Sequence, residues 1–373
     1  MPIYLDYNAT SPILDEVLGV MVKTYKENFG NPASRTHLHG HMAKQLVDGA
    51  RKTIAEVLGV STNEVIFTSG ATESNNMAIL GLIDYANKTK KKHIISSVIE
   101  HSSILGPLEY LSGLGFKIDL VPVDRSGKIS VDDVIQRVTD DTLLVSIMHA
   151  NNETGVIQPV KKIGEFLANR DVFFHVDAAQ TFGKLIEELR QIKYDLLSIT
   201  AHKVYGPPGI GALIIRNEKD VRAHIKPLMY GGKQERGLRP GTLPTALIAG
   251  FGKAAEIAFQ NYRKWHEIEL KIKIDILEQL KEVHYVVNGD INNSLPNCIN
   301  ISFPGIDSEA LMLGVKEYLS ISNGSACTSS EYKPSYVLKA MGADAESSVR
   351  ISWGPNVYEI DLSPIVDFVK RFN

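Results

Sequence analysis

Short, continuously apolar runs alternate with helical patterns over the region 64–215. The runs cover 64–68, 93–97, 143–148, 172–177, 196–200 and 212–215. Such runs are typical of strands buried on both faces, as in a parallel sheet that helices cover on each side. The alternation therefore predicts an α/β domain, in which several strands end at one common edge of the sheet.

The pattern changes after about Ala249. A long helical stretch rich in lysine, glutamate and isoleucine covers 251–280, and a short strand-like run follows at 299–303. A chain of 373 residues is long for a single hydrophobic core. We therefore predict a second, α+β domain that the long helix connects to the first.

Composition and charge narrow the class of protein. The formal net charge is −3, so overall charge does not favour nucleic acid or a membrane surface as a partner. No apolar window approaches the roughly 20 residues that cross a bilayer, and the N-terminus lacks the pattern of a signal peptide. The two cysteines are too few for a disulfide framework or a structural zinc site. We expect a cytoplasmic protein without a metal site.

An aspartate and a lysine each lie at or just past the end of a predicted strand. Asp177 closes the run 172–177, and Lys203 follows the run 196–200. Pyridoxal phosphate needs a lysine amine for its aldehyde and a carboxylate for its pyridinium nitrogen. Considered singly, Asp177 is a candidate helix cap and Lys203 is a candidate surface-loop residue without a chemical role. Together with the motifs below, the two residues favour this cofactor.

The turn from Ser69 to Glu73 joins a predicted strand to a predicted helix over 74–85. A helix N-terminus offers backbone N–H groups and a positive dipole end, which suit a phosphate. Gly70 permits a close approach of the backbone, and Thr72 adds a hydroxyl donor. An ordinary helix cap explains the same residues. The glycine spacing fits neither a Walker nor a dinucleotide motif.

Three further polar features are candidates for the same site: His101 and the loop 151–155 follow predicted strands, and Arg350 lies within the strand-like run 348–352. His101 suits stacking on a flat cofactor and proton transfer near neutral pH, although a helix-start histidine bonded to backbone fits equally well. The loop 151–155 is either part of the same site or a simple turn. Arg350 suits a bidentate bond to a substrate carboxylate, or else it is a solvated charge on an edge strand.

Cys327 lies in the segment 322–330, which consists almost entirely of small polar residues. This composition is typical of an exposed, adaptable loop, in which a thiolate can react. A tolerated surface thiol is the alternative. Cys298 borders the apolar run 299–303, and we interpret it as structural.

Taken together, these motifs resemble those of the cysteine desulfurases of the NifS/IscS kind, in the class V aminotransferase group of pyridoxal-phosphate enzymes. The resemblance covers nearly the whole chain. The motifs that carry it are 4–10, 30–37, 69–76, His101, 151–155, 177–180, 202–203, 325–327 and the segment around Arg350. The chain departs from the family at His39, where an aromatic residue is usual, and it ends soon after the last helical pattern, where relatives that contact an iron–sulfur scaffold often have a longer tail.

The resemblance implies a role for each matching residue. Lys203 would bind the cofactor and act in catalysis with His101 and the sulfur-accepting nucleophile Cys327. The other cofactor-binding residues would be His101, which would stack on the ring, and Asp177, Gln180, Ala71, Thr72, Asn152, Thr200, His202 and, from a second subunit, Thr242. The substrate carboxylate would be held by Asn31, Asn152 and Arg350.

It also implies a fold and a function. The expected fold is type I of the pyridoxal-phosphate enzymes, with a mainly parallel, seven-stranded sheet in a large domain at 15–255 and a small α+β domain at 1–14 and 256–373. The expected enzyme is a homodimer that takes sulfur from L-cysteine and passes it to an acceptor protein for iron–sulfur clusters, tRNA thiolation or DNA phosphorothioation. A selenocysteine lyase or another small-amino-acid transferase with this cofactor is the alternative.

Overall fold

The computed structural model describes residues 1–324, 334–357 and 359–372. Its strands are β1 (Ile3–Tyr4), β2 (Val65–Thr68), β3 (His93–Ser97), β4 (Lys117–Val121), β5 (Thr142–Met148), β6 (Phe173–Asp177), β7 (Leu196–Thr200), β8 (Gly211–Ile215), β9 (Val286–Val287), β10 (Cys298–Ser302), β11 (Leu319–Ser320) and β12 (Ser348–Ser352). Its helices are α1 (Asp15–Glu27), α2 (Leu38–Leu58), α3 (Ala71–Leu80), α4 (Ile83–Thr89), α5 (Ser102–Gly113), α6 (Val131–Arg137), α7 (Val160–Leu167), α8 (Ile186–Gln191), α9 (Val221–His224), α10 (Thr245–Gln279), α11 (Ser308–Val315), α12 (Tyr336–Met341) and α13 (Ser363–Phe372).

The central element is a seven-stranded sheet in the order β2-β8-β7-β6-β5-β3-β4. Its strands run parallel, except that β8 is antiparallel to both β7 and β2. The predicted α/β class and mainly parallel sheet are therefore confirmed. The sequence patterns missed β4, because this edge strand mixes exposed and buried residues and so has no continuous apolar run.

Helices cover both faces of this sheet. On one face, Ile54 of α2 and Phe251 of α10 lie in the same hydrophobic cluster as Phe67. On the other face, Met77 of α3 and Leu108 of α5 lie in a second cluster. The double covering explains why the strands are apolar on both sides.

One predicted helix is two helices in the structure. The pattern 74–85 was interpreted as continuous, but α3 ends at Leu80 and α4 begins at Ile83. The chain of Ile225 and Lys226 approaches Gly81 so closely that a Cβ there would lie 2.9 Å from Ile225 Cγ2 and 3.0 Å from Lys226 O. This close packing accompanies the break between the two helices.

The long helix α10 connects the large sheet to the remaining strands. Its first half packs in the cluster around the large sheet, whereas Ile276 packs with Trp353 and Ile351 in a separate cluster. The order of the second sheet is β12-β10-β9, and β1 pairs with β11. The β1–β11 pair joins the N-terminal strand to the C-terminal part, and the division into 15–255 and 1–14 with 256–373 stays a prediction. Within the described ranges, no helix is both long and apolar enough to cross a membrane.

Candidate active site

A cavity of about 350 Å³ lies at the carboxyl ends of β5, β6 and β7. Met148, Asp177 and Thr200, each the last residue of one of these strands, line it. The cavity therefore lies where parallel α/β sheets bind their ligands. Ten of the thirteen predicted site residues line it, namely Ala71, Thr72, His101, Asn152, Asp177, Gln180, Thr200, His202, Lys203 and Arg350.

The N-terminus of α3 forms one end of the cavity, as the strand–turn–helix pattern predicts. Ser69, Gly70, Ala71 and Thr72 all line this end. A Cβ on Gly211 of β8 would lie 2.7 Å from the Cα of Gly70, so only glycine at 211 lets the turn pack this tightly. Glu73 accepts from the Ser69 backbone N–H at 2.6 Å and pairs with Arg239 at 3.0 Å, which fixes the turn.

Asp177 also lines the cavity and is 7% exposed. Its carboxylate accepts a hydrogen bond from the Asn75 amide at 2.8 Å and another from the Ala179 backbone N–H at 2.9 Å. The Asn75 amide also donates to Ser103 Oγ at 2.8 Å. Asn75 thus fixes the orientation of the carboxylate, although the sequence analysis gave it no role.

His101 begins a helix, as one interpretation of its sequence position predicts, and it also lines the cavity. It is the N-cap of α5, where its Nδ1 accepts from the Ser103 backbone N–H at 3.1 Å, and its ring also lines the cavity. This bond assigns the proton of the neutral ring to Nε2. Burial lowers the pKa of His101, with the charge of Lys203 acting in the same direction and that of Asp177 opposing both.

Lys203 extends into the cavity from the turn after β7. Its ammonium group donates to the backbone carbonyls of Asn8 and Ala9, the latter at 2.8 Å. The neighbouring His202 contacts Thr10 Oγ1 at 3.3 Å. Burial, followed by the charge of Lys203, lowers the pKa of His202 to about 4, so its ring is neutral near pH 7.

Arg350 is 3% exposed, which excludes the alternative of a solvated edge-strand charge. Its guanidinium group donates to Asp6 Oδ1 at 2.5 Å and to the Asn152 carbonyl at 3.0 Å. Asn152 lies beside it in the cavity wall. A buried arginine at this position can hold an anion bidentately.

Three predicted residues are not placed in the cavity. Asn31 and Thr242 are exposed and do not line it in the described chain. Cys327 lies outside the described residues. Cys298 is fully buried in β10, as its sequence context indicates. His39 packs on Phe29, with ring centroids 5.5 Å apart.

Comparison with known proteins places this site in a family. Residues 3–363 match the family model described as aminotransferase class-V. The chain belongs to the class V aminotransferase family.

The chain is also similar to individual proteins over nearly its full length. Cysteine desulfurase IscS from Vibrio cholerae serotype O1 is 42% identical over 376 residues, which cover 99% of this chain and 92% of that protein. A solved NifS-like protein is 36% identical with a TM-score of 0.89, and the match covers 100% of this chain and 98% of that one. DndA from Streptomyces lividans is 40% identical with a TM-score of 0.82, covering 94% and 99%. The resemblance to cysteine desulfurases is thereby confirmed.

The cofactor of this family member is pyridoxal 5′-phosphate. The cavity fits this cofactor. Three lining residues have a buried polar atom without a partner in the described chain, namely Asn8 (Oδ1), Gln180 (Oε1) and Arg350 (Nε). Buried polar atoms are normally bonded, so these three indicate a polar ligand. The N-terminus of α3 can bind the phosphate of the cofactor with its backbone N–H groups. Asp177 can pair with the pyridine nitrogen, and Lys203 can bond to the aldehyde.

The N-terminal segment contributes a residue that the sequence analysis did not assign. The Asn8 carbonyl accepts from Gln180 Nε2 at 3.0 Å and from Lys203, and its side chain donates to the Asn152 carbonyl at 3.2 Å. Asn8 lies in the quoted motif 4–10, so the resemblance alone offered a signal for it. It connects three walls of the cavity.

Glu100 is a second unassigned residue, buried next to His101. Its Oε1 accepts from Ser97 Oγ at 2.6 Å and from the Met148 backbone N–H at 3.0 Å. Burial raises the pKa of Glu100 from 4.5 to about 8, and the charge of Asp177 adds to the shift. The folded protein therefore binds a proton near neutral pH that the unfolded chain releases.

Replacing Glu100 by glutamine is expected to flatten the pH dependence of stability. Because the folded-state pKa is raised, the wild-type free energy of unfolding falls as pH rises from 4.5 to about 8, by up to about 1.4 kcal/mol per pH unit. Glutamine keeps the acceptor oxygen and does not titrate. Urea unfolding at both ends of this range measures the slope, with the exposed Glu109→Gln in α5 as control. Equal slopes for wild type and Glu100→Gln contradict the prediction.

Proposed function

We propose that this member of the class V aminotransferase family is a cysteine desulfurase. It converts L-cysteine to L-alanine and carries the sulfur as a persulfide on Cys327. The observation that carries the proposal is the meeting of Lys203, Asp177 and His101 in one cavity at the carboxyl edge of the sheet. Full-length similarity to cysteine desulfurase IscS supports the same reaction.

Each residue has a task in this reaction. Arg350 and Asn152, with Asn31, bind the substrate carboxylate, and Lys203 removes the α-proton of the bound cysteine. The cofactor, when bound, withdraws electrons from the substrate carbon atoms, and Asp177 supports this by keeping the pyridine nitrogen protonated. His101, which lines the same cavity, would exchange protons with substrate atoms when the cofactor is bound.

The sulfur transfer balances without an external oxidant. The Cys327 thiolate attacks the substrate sulfur, so that an S–S bond forms and the C–S bond of cysteine breaks. The electron pair of the broken bond stays on the carbon skeleton, which takes up a proton and leaves as alanine. Cys327 then carries one extra sulfur atom, which a thiol reductant releases as sulfide or an acceptor protein takes up.

A homodimer completes the proposed site. Asn31 and Thr242 are exposed and do not line the cavity in the described chain, whereas the family resemblance assigns both to an active site. A second copy that contributes Thr242 to the phosphate end resolves this difference. Met229 and Tyr230, in the same region as Thr242, are 48% and 86% exposed, which suits a contact with a partner.

The cellular setting follows from the chemistry. A nucleophilic thiol requires reducing conditions, and Cys298 is likewise an unpaired thiol. We therefore place the enzyme in the cytoplasm, with L-cysteine as substrate and a sulfur-acceptor protein as partner. Iron–sulfur cluster assembly, tRNA thiolation and DNA phosphorothioation each use such an acceptor.

The product analysis tests this function. Purified protein with pyridoxal phosphate, L-cysteine and dithiothreitol is expected to release sulfide and L-alanine in equal amounts. An aminotransferase would instead form a keto acid, and a selenocysteine lyase would act on selenocysteine but leave cysteine intact. Either of these results, or the absence of bound cofactor from the absorbance spectrum, would overturn the proposal.

A further inference from the structure

Glu153 is a buried carboxyl group to which the proposed reaction gives no task. It lies in the loop 151–155 after β5 and is 3% exposed. Burial raises its pKa, whereas the hydrogen bond from Ser335 and the charge of Arg350 oppose the shift. A carboxyl group buried in this way is costly unless it is bonded, so its partners indicate why it is there.

The first partner is Ser335, which is 4% exposed. Its hydroxyl donates to Glu153 Oε2 at 2.5 Å and accepts from the Leu338 backbone N–H at 3.1 Å. Ser335 is therefore the N-cap of α12 and is bonded to Glu153 at the same time. This pair of bonds fixes the start of α12 to the loop 151–155.

The second partner is Gly324, which lines the cavity. A Cβ at this position would lie 2.8 Å from Glu153 Oε2 and 3.0 Å from its Cδ, so the backbone of Gly324 packs directly on the carboxyl group. Its φ of +83° also favours glycine. The same carboxyl oxygen therefore lies against both Gly324 and Ser335.

Hydrogen bonds also fix the backbone of Glu153. Its backbone N–H donates to Asn151 Oδ1 at 2.9 Å, and its carbonyl accepts from the Asn300 amide at 3.4 Å. The preceding Asn152 carbonyl accepts from Arg350 at 3.0 Å. The carboxyl group is thus a fixed point beside the substrate-binding wall, but Glu153 does not line the cavity itself.

Gly324 and Ser335 flank the segment 325–333, which carries Cys327 and lies outside the described residues. We propose that Glu153 is a positioning residue for sulfur transfer, because it holds both flanks of the Cys327 segment at the cavity. The inference rests on the proposed function, in which Cys327 attacks the substrate sulfur. The proposal assigns Glu153 to sulfur transfer only. Removal of the α-proton by Lys203 is a separate step, because it does not require Cys327.

Glu153→Ala and Glu153→Gln test this separation in the cofactor-loaded enzyme. The first readout is the rate at which persulfide forms on Cys327 after addition of L-cysteine, measured by alkylation and mass spectrometry. The second is the exchange of the α-proton of L-alanine in D₂O, measured by NMR. Glu153→Ala is expected to slow persulfide formation about 10- to 100-fold, the scale of a misplaced reacting group, with proton exchange unchanged. Glu153→Gln, which keeps an acceptor for Ser335, is expected to remain close to wild type.

The outcomes are distinct. If Glu153→Ala forms persulfide at the wild-type rate, or loses both activities together, the proposal is wrong. If Glu153→Ala does not fold, Ser335→Ala removes the hydrogen bond to Glu153 and Gly324→Ala forces a methyl group against its carboxyl group, and a wild-type persulfide rate in both overturns the proposal. The exposed Glu109→Ala is the matched control. Failure of the proposed function differs from all of these, because wild type itself then forms no persulfide.

Discussion

Replacing Lys203 by alanine is expected to abolish both α-proton exchange and alanine formation. The amine has two tasks in the proposed reaction, attachment of the cofactor and removal of the α-proton, and no other described lysine lines the cavity. A general base contributes about 10²- to 10⁴-fold to rate, so we expect a loss of at least about 10³-fold. L-Alanine formation and proton exchange in D₂O measure it.

Two control variants distinguish the chemical role of the Lys203 amine from the effect of its positive charge. Lys203→Arg keeps the positive charge beside the Asn8 and Ala9 carbonyls but cannot attach the cofactor, and is expected to be as inactive as the alanine variant. Lys161→Ala removes an exposed lysine that contacts Gln191 at 2.8 Å, and is expected to retain full activity. Substantial turnover by either Lys203 variant would mean that another group removes the proton.

Replacing Cys327 by alanine is expected to stop sulfur transfer but to leave proton exchange intact. Without the thiolate, nothing accepts the substrate sulfur, and the rates of sulfide and alanine formation should fall at least about 10³-fold, as on removal of an enzyme nucleophile. The absorbance of the bound cofactor should stay unchanged, because Lys203 and Asp177 are present. Product assays with L-cysteine and spectra of both proteins provide the measurements.

Cys298 supplies the matched control, since it is the only other cysteine of the chain. It is fully buried, and burial raises the pKa of its thiol, so it stays protonated and shielded from reagents. Cys298→Ala is therefore expected to form persulfide like wild type. If instead persulfide persists in Cys327→Ala and disappears in Cys298→Ala, the two cysteines have the opposite roles.

Much of the site was predictable because it follows from local patterns. Continuous apolar runs mark strands buried on both faces, and residues just after such runs lie at one edge of a parallel sheet. Asp177, Lys203 and His101 were found in this way, and the structure places all three in one cavity. A helix N-terminus after β2 was predicted on the same grounds, but α3 begins at Ala71 and not at Ser74, and it ends earlier than predicted, at Leu80.

The residue types at the strand ends, and hence the chemistry of the site, are readable from the sequence alone. Which distant segments complete the site depends on the folded structure. Asn8 bonds to Ser352 at 2.9 Å across 344 residues of sequence, and Glu153 bonds to Ser335 at 2.5 Å across 182. The physical reason is that periodicity and turn chemistry report on residues close in sequence, whereas contacts between distant segments depend on how whole elements pack. The partners of Asn8 and Glu153 are therefore visible only in the folded chain.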